Sequence, residues 1–271
     1  MDRRSVLTGV AVAVVAALSG CADDHRPVPA RPSNWAPSAA GSATTDGTPA
    51  DTSSSRFDAP VGLVKAPIPR GTITRLPGTG RCLALTIDDG TSSAVLGAYA
   101  QLCRDTGLRA TFFCNGINES WTEHAPVLRP LVENNQIFLA NHTWSHPDLL
   151  HLSAAEVTDQ VQRNEQFLKN TYGVTGRPFL RPPFGHGDGR LNNQLADLGY
   201  PGVTMWLGSL GDAIVQPPQK IVALAEQWFQ PQHVVIGHAN HRPVIKVMDR
   251  LMGIIEQKRL QPVHLGDVFT V

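Results

Sequence analysis

Cys82-Leu83-Ala84-Leu85-Thr86-Ile87-Asp88-Asp89-Gly90 is the stretch on which the fold turns. A short apolar run that stops at an Asp-Gly pair reads as a strand buried on both faces and ended by a turn. Similar runs recur at residues 110–114, 137–140, 178–180, 202–207, 233–236 and 262–265. Helical periodicity fills the intervals. Val95, Tyr99 and Leu102 share one face of a helix that stops at Gly107, and Ser153 with Glu156 forms a capping box ahead of Val157, Val161 and Leu168. Leu191, Leu195 and Leu198 make a third stripe, Ile221, Leu224 and Trp228 a fourth, and a last helix is predicted over residues 243–257. Alternation of strand and helix predicts a parallel sheet covered by helices. Seven strands fit an irregular α/β barrel, a (β/α) barrel in one single domain, better than an open sheet. In either case chemistry belongs on loops at the carboxyl ends of the strands.

The 271-residue chain is 42% hydrophobic and 17% charged, enough apolar material for a sizeable core. Its 23 basic and 23 acidic residues cancel, and no run of Lys or Arg marks a nucleic-acid surface. Before residue 76 the texture differs. Arg3-Arg4 precedes an apolar run too short for a membrane span, and Leu18-Ser19-Gly20-Cys21 resembles the lipobox of bacterial lipoproteins. This predicts a signal peptide over residues 1–20, exported by the general or the twin-arginine route. Lipidation of Cys21 would then anchor the protein to the outer face of the cytoplasmic membrane. Residues 21–75, rich in Pro, Ser, Thr and Ala, read as a flexible tether, and residues 76–271 as the folded domain.

Five features fall just after predicted strands. Asp88-Asp89 places two carboxylates side by side, which repel unless a cation or proton separates them, although a solvated turn would also explain them. His142 and His146 stand at i and i+4, able to share one metal. Arg181-Pro182-Pro183-Phe184 is a rigid loop with a fixed cation able to grip a carboxylate. Trp206 is followed six residues on by Asp212, and residues 234–238 deliver His238. Taken singly, each has an ordinary structural explanation.

Together, and in this order, they resemble the NodB-homology polysaccharide deacetylases, carbohydrate esterase family four. Thr86-Ile87-Asp88-Asp89, His142-Thr143-Trp144-Ser145-His146, Arg181-Pro182-Pro183-Phe184, Trp206 with Asp212, and Ile236-Gly237-His238 match its motifs over residues 80–265, as does Ala110-Thr111-Phe112-Phe113. The resemblance implies that Asp89, His142 and His146 bind one divalent metal, zinc by donor chemistry, with cobalt or nickel as alternatives. It implies Asp88 as general base held by Arg181, and His238 tuned by Asp212 as general acid. Phe184, Trp206 and Ile236 would meet the substrate, with the Phe184 backbone N–H facing the oxyanion. The implied activity is removal of acetyl groups from N-acetylglucosamine units of a cell-envelope polysaccharide, peptidoglycan or a related glycan, by a monomer. An O-acetyl esterase and an inactive anchored glycan-binding protein are the alternatives.

Ile87, Ile236 and Ala213 depart from the family's Phe, Leu and Trp. His186 and His241 flank the motifs, the latter a rival to His238, while His25, His124, His151, His233 and His264 are assigned no role. Beyond Cys21, three cysteines remain: Cys82, Cys103 and Cys114. The return of the first helix toward the start of the first strand raises a Cys82–Cys103 disulfide as one possibility and three unpaired thiols as the other.

Overall fold

The computed structural model describes residues 55–69 and 71–270. The predicted signal peptide, Cys21 and most of the tether lie outside the described residues. Nine strands form one sheet: β1 (Gly71–Ile73), β2 (Cys82–Asp89), β3 (Ala110–Cys114), β4 (Ile137–Asn141), β5 (Phe179–Leu180), β6 (Gly202–Thr204), β7 (Gly208–Ser209), β8 (His233–His238) and β9 (Gln261–Pro262). Every pairing between them is parallel, in the order β1-β6-β5-β4-β3-β2-β8-β7, with β9 on β2. Helices α1 (Ser93–Thr106), α2 (Ser120–Glu123), α3 (Ala125–Glu133), α4 (Ala154–Tyr172), α5 (Gly189–Asp197), α6 (Pro218–Trp228) and α7 (Met248–Gln257) lie in the connections between strands, and α8 (Leu265–Val268) follows β9. The result is the curled (β/α) barrel architecture that strand–helix alternation predicts. Among the described residues no helix is long and apolar enough to cross a membrane.

The local signals act as their chemistry requires. Gly107 takes the left-handed conformation that ends α1, and Ser153 and Glu156 cap one another at the start of α4. Alternation along β2 sorts its side chains. Leu83, Leu85 and Ile87 face the helices in the large core with α1, α3, α6 and α7. Cys82 and Ala84 face inward with Phe113, Ala140, Phe179 and Val234.

That alternation disposes of the Cys82–Cys103 bridge. Cys103, on α1, belongs to the outer core and Cys82 to the inner one, so the sheet stands between them. All three cysteines are free and buried.

Three expectations need correcting. The folded part begins before residue 76: Phe57 is buried in the outer core, its N–H bonding the Thr106 carbonyl at 2.8 Å, and β1 lies within the segment read as tether. Its three residues pair with β6, and the chain then crosses to β8 through the Arg75–His233 bridge and the Leu76 N–H to the Gln232 carbonyl. Residues 202–207 are not one strand. Met205 donates to Ile73 and Leu207 to Val234, so the chain changes neighbours at Trp206 as the sheet curls. The last helix opens with a 3-10 turn at Arg242–Val247, and α7 starts only at Met248.

Candidate active site

The cleft lies at the carboxyl ends of the strands and has a volume of about 570 Å³. Asp88, Asp89, His142, His146, Arg181, Phe184, Trp206, Ile236 and His238 all line it. Asp212 sits buried behind His238.

Strand register assembles the group. Asp88 on β2 pairs with His238 on β8 at one level, and Asn141 on β4 pairs with Leu180, the residue before Arg181. Asp89 follows Asp88 with φ of 73° while still paired in register with Cys114 on β3. Thr143, His146 and Phe184 also have positive φ, so four of the seven non-glycine residues with this conformation among those described belong to the site. Such conformations cost free energy and persist where the surroundings over-determine them.

Arg181 is fully buried between the strands. Its Nη1 donates to Asp88 Oδ1 at 2.6 Å and Thr86 Oγ1 at 2.9 Å, its Nε to the Thr204 carbonyl at 3.1 Å, and its Nη2 to the Met205 carbonyl at 3.0 Å. The guanidinium carbon lies 4.2 Å from the Phe113 ring centroid. Burial pulls the guanidinium's pKa down, and Asp88 opposes that shift. One oxygen of Asp88 is thus held, while Oδ2 faces His142 Nε2 at 3.5 Å.

The second carboxylate has other partners. Asp89 Oδ2 accepts from Asn240 Nδ2 at 2.6 Å, and Oδ1 is buried without a hydrogen-bond partner. His142 Nε2 lies 3.3 Å and His146 Nε2 3.4 Å from that oxygen. The His142 ring is held through Nδ1, 2.6 Å from the Arg181 carbonyl, which leaves Nε2 as the ligand atom. One donor atom from each of Asp89, His142 and His146 lies within 4.8 Å of the others. Two imidazoles, one carboxylate and an unpartnered buried oxygen are a donor set that fits a divalent transition metal. Burial works to raise the Asp89 carboxyl, but His142, His146 and His238 hold it well below the usual carboxylate range, ready to ligate. For His142, burial is outweighed by Asp88 and Asp89, which raise its pKa; for His146, burial and His142 lower it.

On the neighbouring strand, His238 Nδ1 lies 3.0 Å from Asp212 Oδ1, and its backbone N–H donates to Asp212 Oδ2 at 3.1 Å. Burial would lower the imidazole's pKa; Asp212, then Asp88 and Asp89, raise it overall. His241 instead places Nε2 3.2 Å from the Ala213 carbonyl and does not line the cleft. His186 pairs with Asp148 at 2.8 Å. His264 is buried with Arg109 and Asp267, and burial lowers its pKa to about 4.

Several supporting residues carry no recognisable sequence signal. Asn118 Nδ2 and Trp121 Nε1 donate to the Asp89 carbonyl at 3.0 and 2.8 Å. Asn115 donates to the carbonyls of His142 and Thr143, and Asn141 Oδ1 accepts from the Thr143 N–H at 2.9 Å. Asn240 alone had a positional clue, two residues after His238 on a strand-end loop.

The family model described as polysaccharide deacetylase matches residues 75–203. A chitin deacetylase of Pestalotiopsis sp is 33% identical over 215 residues, covering 76% of this chain and 70% of the relative. A peptidoglycan-N-acetylglucosamine deacetylase of Bacillus cereus is 32% identical over 113 residues, 42% of this chain and 38% of that protein. The structure of the chitin deacetylase from Colletotrichum lindemuthianum superposes with a TM-score of 0.67 at 20% identity, over 76% of this chain and 93% of that one, a likeness of fold. The matched residues 75–203 contain Asp88, Asp89, His142, His146, Arg181 and Phe184. Trp206, Asp212, Ile236 and His238 lie beyond them and rest on geometry.

The two aspartates should separate on metal binding. Asn240→Ala is expected to weaken zinc binding about 10- to 100-fold, as loss of a ligand's hydrogen-bond partner does. Asp88→Asn should leave zinc affinity nearly unchanged. Competition against a chromogenic chelator measures both, and the reverse ranking would mean that the two carboxylates have been assigned backwards.

Proposed function

The chain belongs to the polysaccharide deacetylase family, and on that premise we propose that it is a metal-dependent hydrolase of N-acetylglucosamine units in a cell-envelope polysaccharide, peptidoglycan or a related glycan. The observation that carries this reading is the convergence of Asp89, His142 and His146 beside a second carboxylate, Asp88, clamped by a buried arginine.

Asp89, His142 and His146 would hold the metal, which when bound supplies Lewis-acid polarisation of the acetyl carbonyl. The chain's own residues divide the remaining work. Arg181 occupies Asp88 Oδ1, which leaves Oδ2, 3.5 Å from His142 Nε2, to accept a proton from the attacking water. The Phe184 backbone N–H would donate to the developing oxyanion. Trp206 and Ile236 wall the cleft where the acetyl methyl would lie. His238 donates through Nδ1 to Asp212, which leaves Nε2 to protonate the departing sugar nitrogen. Acetate and a free amine on the sugar are the products.

The same reading places the enzyme outside the cytoplasmic membrane. Leu18-Ser19-Gly20-Cys21 supports lipid attachment at Cys21. Fatty-acid labelling of the protein that Cys21→Ala abolishes is the expected result, and an unlabelled wild type would leave only a cleaved signal.

Acetate release from N-acetyl and O-acetyl substrates tests the reaction. Release from the amide is expected, lost on chelation and restored by zinc, cobalt or nickel; release from esters alone would favour the esterase. Asp88→Asn should lower turnover by about 10²–10⁴-fold.

The proton donor is tested by pH. A general acid works in its protonated form, so the rate falls as pH rises through the His238 pKa, which Asp212 holds up. Asp212→Asn should therefore move the alkaline limb of kcat to lower pH. A limb that stays in place would assign the proton to another group.

A further inference from the structure

The end of the barrel opposite the cleft carries an exposed apolar strap. Among the described residues, the large hydrophobic side chains that face solvent fall into two sets. Ile117, Phe184, Ile214 and Val215 stand on loops after strands, and Val61, Leu63 and Val64 lie ahead of β1. Val61 is 94% exposed, Leu63 37% and Val64 92%, so the core does not need them. Ala59-Pro60-Val61-Gly62-Leu63-Val64 contains no polar side chain.

The strap is tied down at both ends. The Phe57 N–H bonds the carbonyl of Thr106, the last residue of α1, and the Asp58 carbonyl accepts from Nε2 of Gln261, the first residue of β9, at 3.1 Å. Ala66 pairs with Phe269, whose ring centroid lies 5.9 Å from that of Phe179, the first residue of β5. All these anchors stand at the amino ends of strands. The strap therefore runs beneath the barrel, while Asp88 and His238 stand at the other end, a rise of about 23 Å along β2. Between the anchors Gly62 has φ of 73°, and a Cβ there would meet nothing within 4 Å.

The charge around the strap is basic. Lys65 follows Val64 directly. Arg81 Nε donates to the Arg259 carbonyl at 2.8 Å, and the Arg81 carbonyl accepts from the N–H of Gln261, the residue that holds Asp58. Lys65, Arg81 and Arg259 are exposed and form no ion pair among the described residues. Of the acids nearby, Glu256 is engaged by Arg56 and Asp105 by Arg104, and Asp58 is the acid within the strap. Aliphatic side chains bordered by unpaired cations suit a layer with an apolar interior and anionic headgroups. A second copy of this chain is a poorer occupant, because a stable pairing takes about 20–30 residues a side.

The course of the chain points the same way. With lipid on Cys21, residues 22–54 lead from the bilayer to Ser55, whose hydroxyl bonds the Thr106 carbonyl at 3.1 Å beside the strap. A random coil of that length has an end-to-end distance of about 30 Å. So short a link makes the second contact intramolecular, and a weak one suffices.

We propose that Val61, Leu63 and Val64, with Lys65, Arg81 and Arg259, form a face that rests on an anionic phospholipid surface and turns the cleft away from it. The proximity rests on the anchor reading of Cys21; the contact does not. The test floats the chain from residue 21 with Cys21→Ala, which carries no lipid, on vesicles of phosphatidylglycerol and phosphatidylcholine in equal parts. Binding is expected, weaker on phosphatidylcholine alone and at high salt. Val61→Ser with Val64→Ser should weaken it about tenfold, and Lys65→Ala about fivefold, with melting temperature unchanged. No binding to the anionic vesicles, or variants that bind like the parent, would overturn the proposal. So would a dimer in sedimentation velocity that the double valine variant abolishes, since a second copy would then be the occupant. Fatty-acid labelling separates the two readings. Vesicle binding by the lipid-free chain beside an unlabelled wild type keeps the face and removes the anchor; a labelled wild type whose lipid-free form does not bind keeps the anchor and removes the face.

Discussion

The buried ion pair between Arg181 and Asp88 is the constraint around which the site is organised. Removing two charges from water costs several kcal/mol each and is offset only where geometry is good and the remaining donors find partners. Arg181 meets that condition by bonding Asp88 and Thr86 on β2, the Thr204 carbonyl that ends β6, and the Met205 carbonyl beyond it. One guanidinium therefore ties together distant parts of the sheet at the level where the chemistry sits. It also resolves the conflict of two adjacent carboxylates. Asp88 receives a fixed positive partner, and Asp89 turns toward two imidazoles, so each has its own source of compensation.

Alternation along the strands decides which residues reach the cleft. Ala84, Phe113, Ala140, Phe179 and Val234 form an apolar layer inside the barrel. Two residues further along their strands stand Thr86, His142, Arg181 and Ile236, and beyond Thr86 and Ile236 come Asp88 and His238. The inner face thus changes from a dry plug to ionisable groups within two steps of side-chain periodicity. The same parity that aims Asp88 into the cleft puts Cys82 on the opposite side of the sheet from α1.

That periodicity explains what was legible in the sequence. The long buried strands, the capping box at Ser153 and the strand-end positions of Asp88, His142, Arg181 and His238 are written in local pattern, and the structure draws these residues into one cleft. Strand β1 was not legible, because three residues in a Pro- and Gly-rich stretch carry no alternation of their own. They become a strand only because β6 offers an unpaired edge as the sheet curls. The break at Trp206 escaped notice for a related reason: hydrogen-bond partners are chosen by tertiary geometry, while the apolar run continues through the switch. Asn118 and Asn115 were invisible because an asparagine reveals its partner only in three dimensions.

The centre and the rim of the cleft are built on different terms. At the centre, left-handed residues at Asp89, Thr143, His146 and Phe184 are held by a mesh of side-chain bonds to backbone carbonyls, and a change at one member leaves others buried without partners. Ile117, Ile214 and Val215 stand on loops with most or half of their surface in water, so substitution there leaves no buried group unsatisfied. The fold sets the geometry of hydrolysis through groups that tolerate little variation, while the exposed loop residues around them are not bound by that constraint.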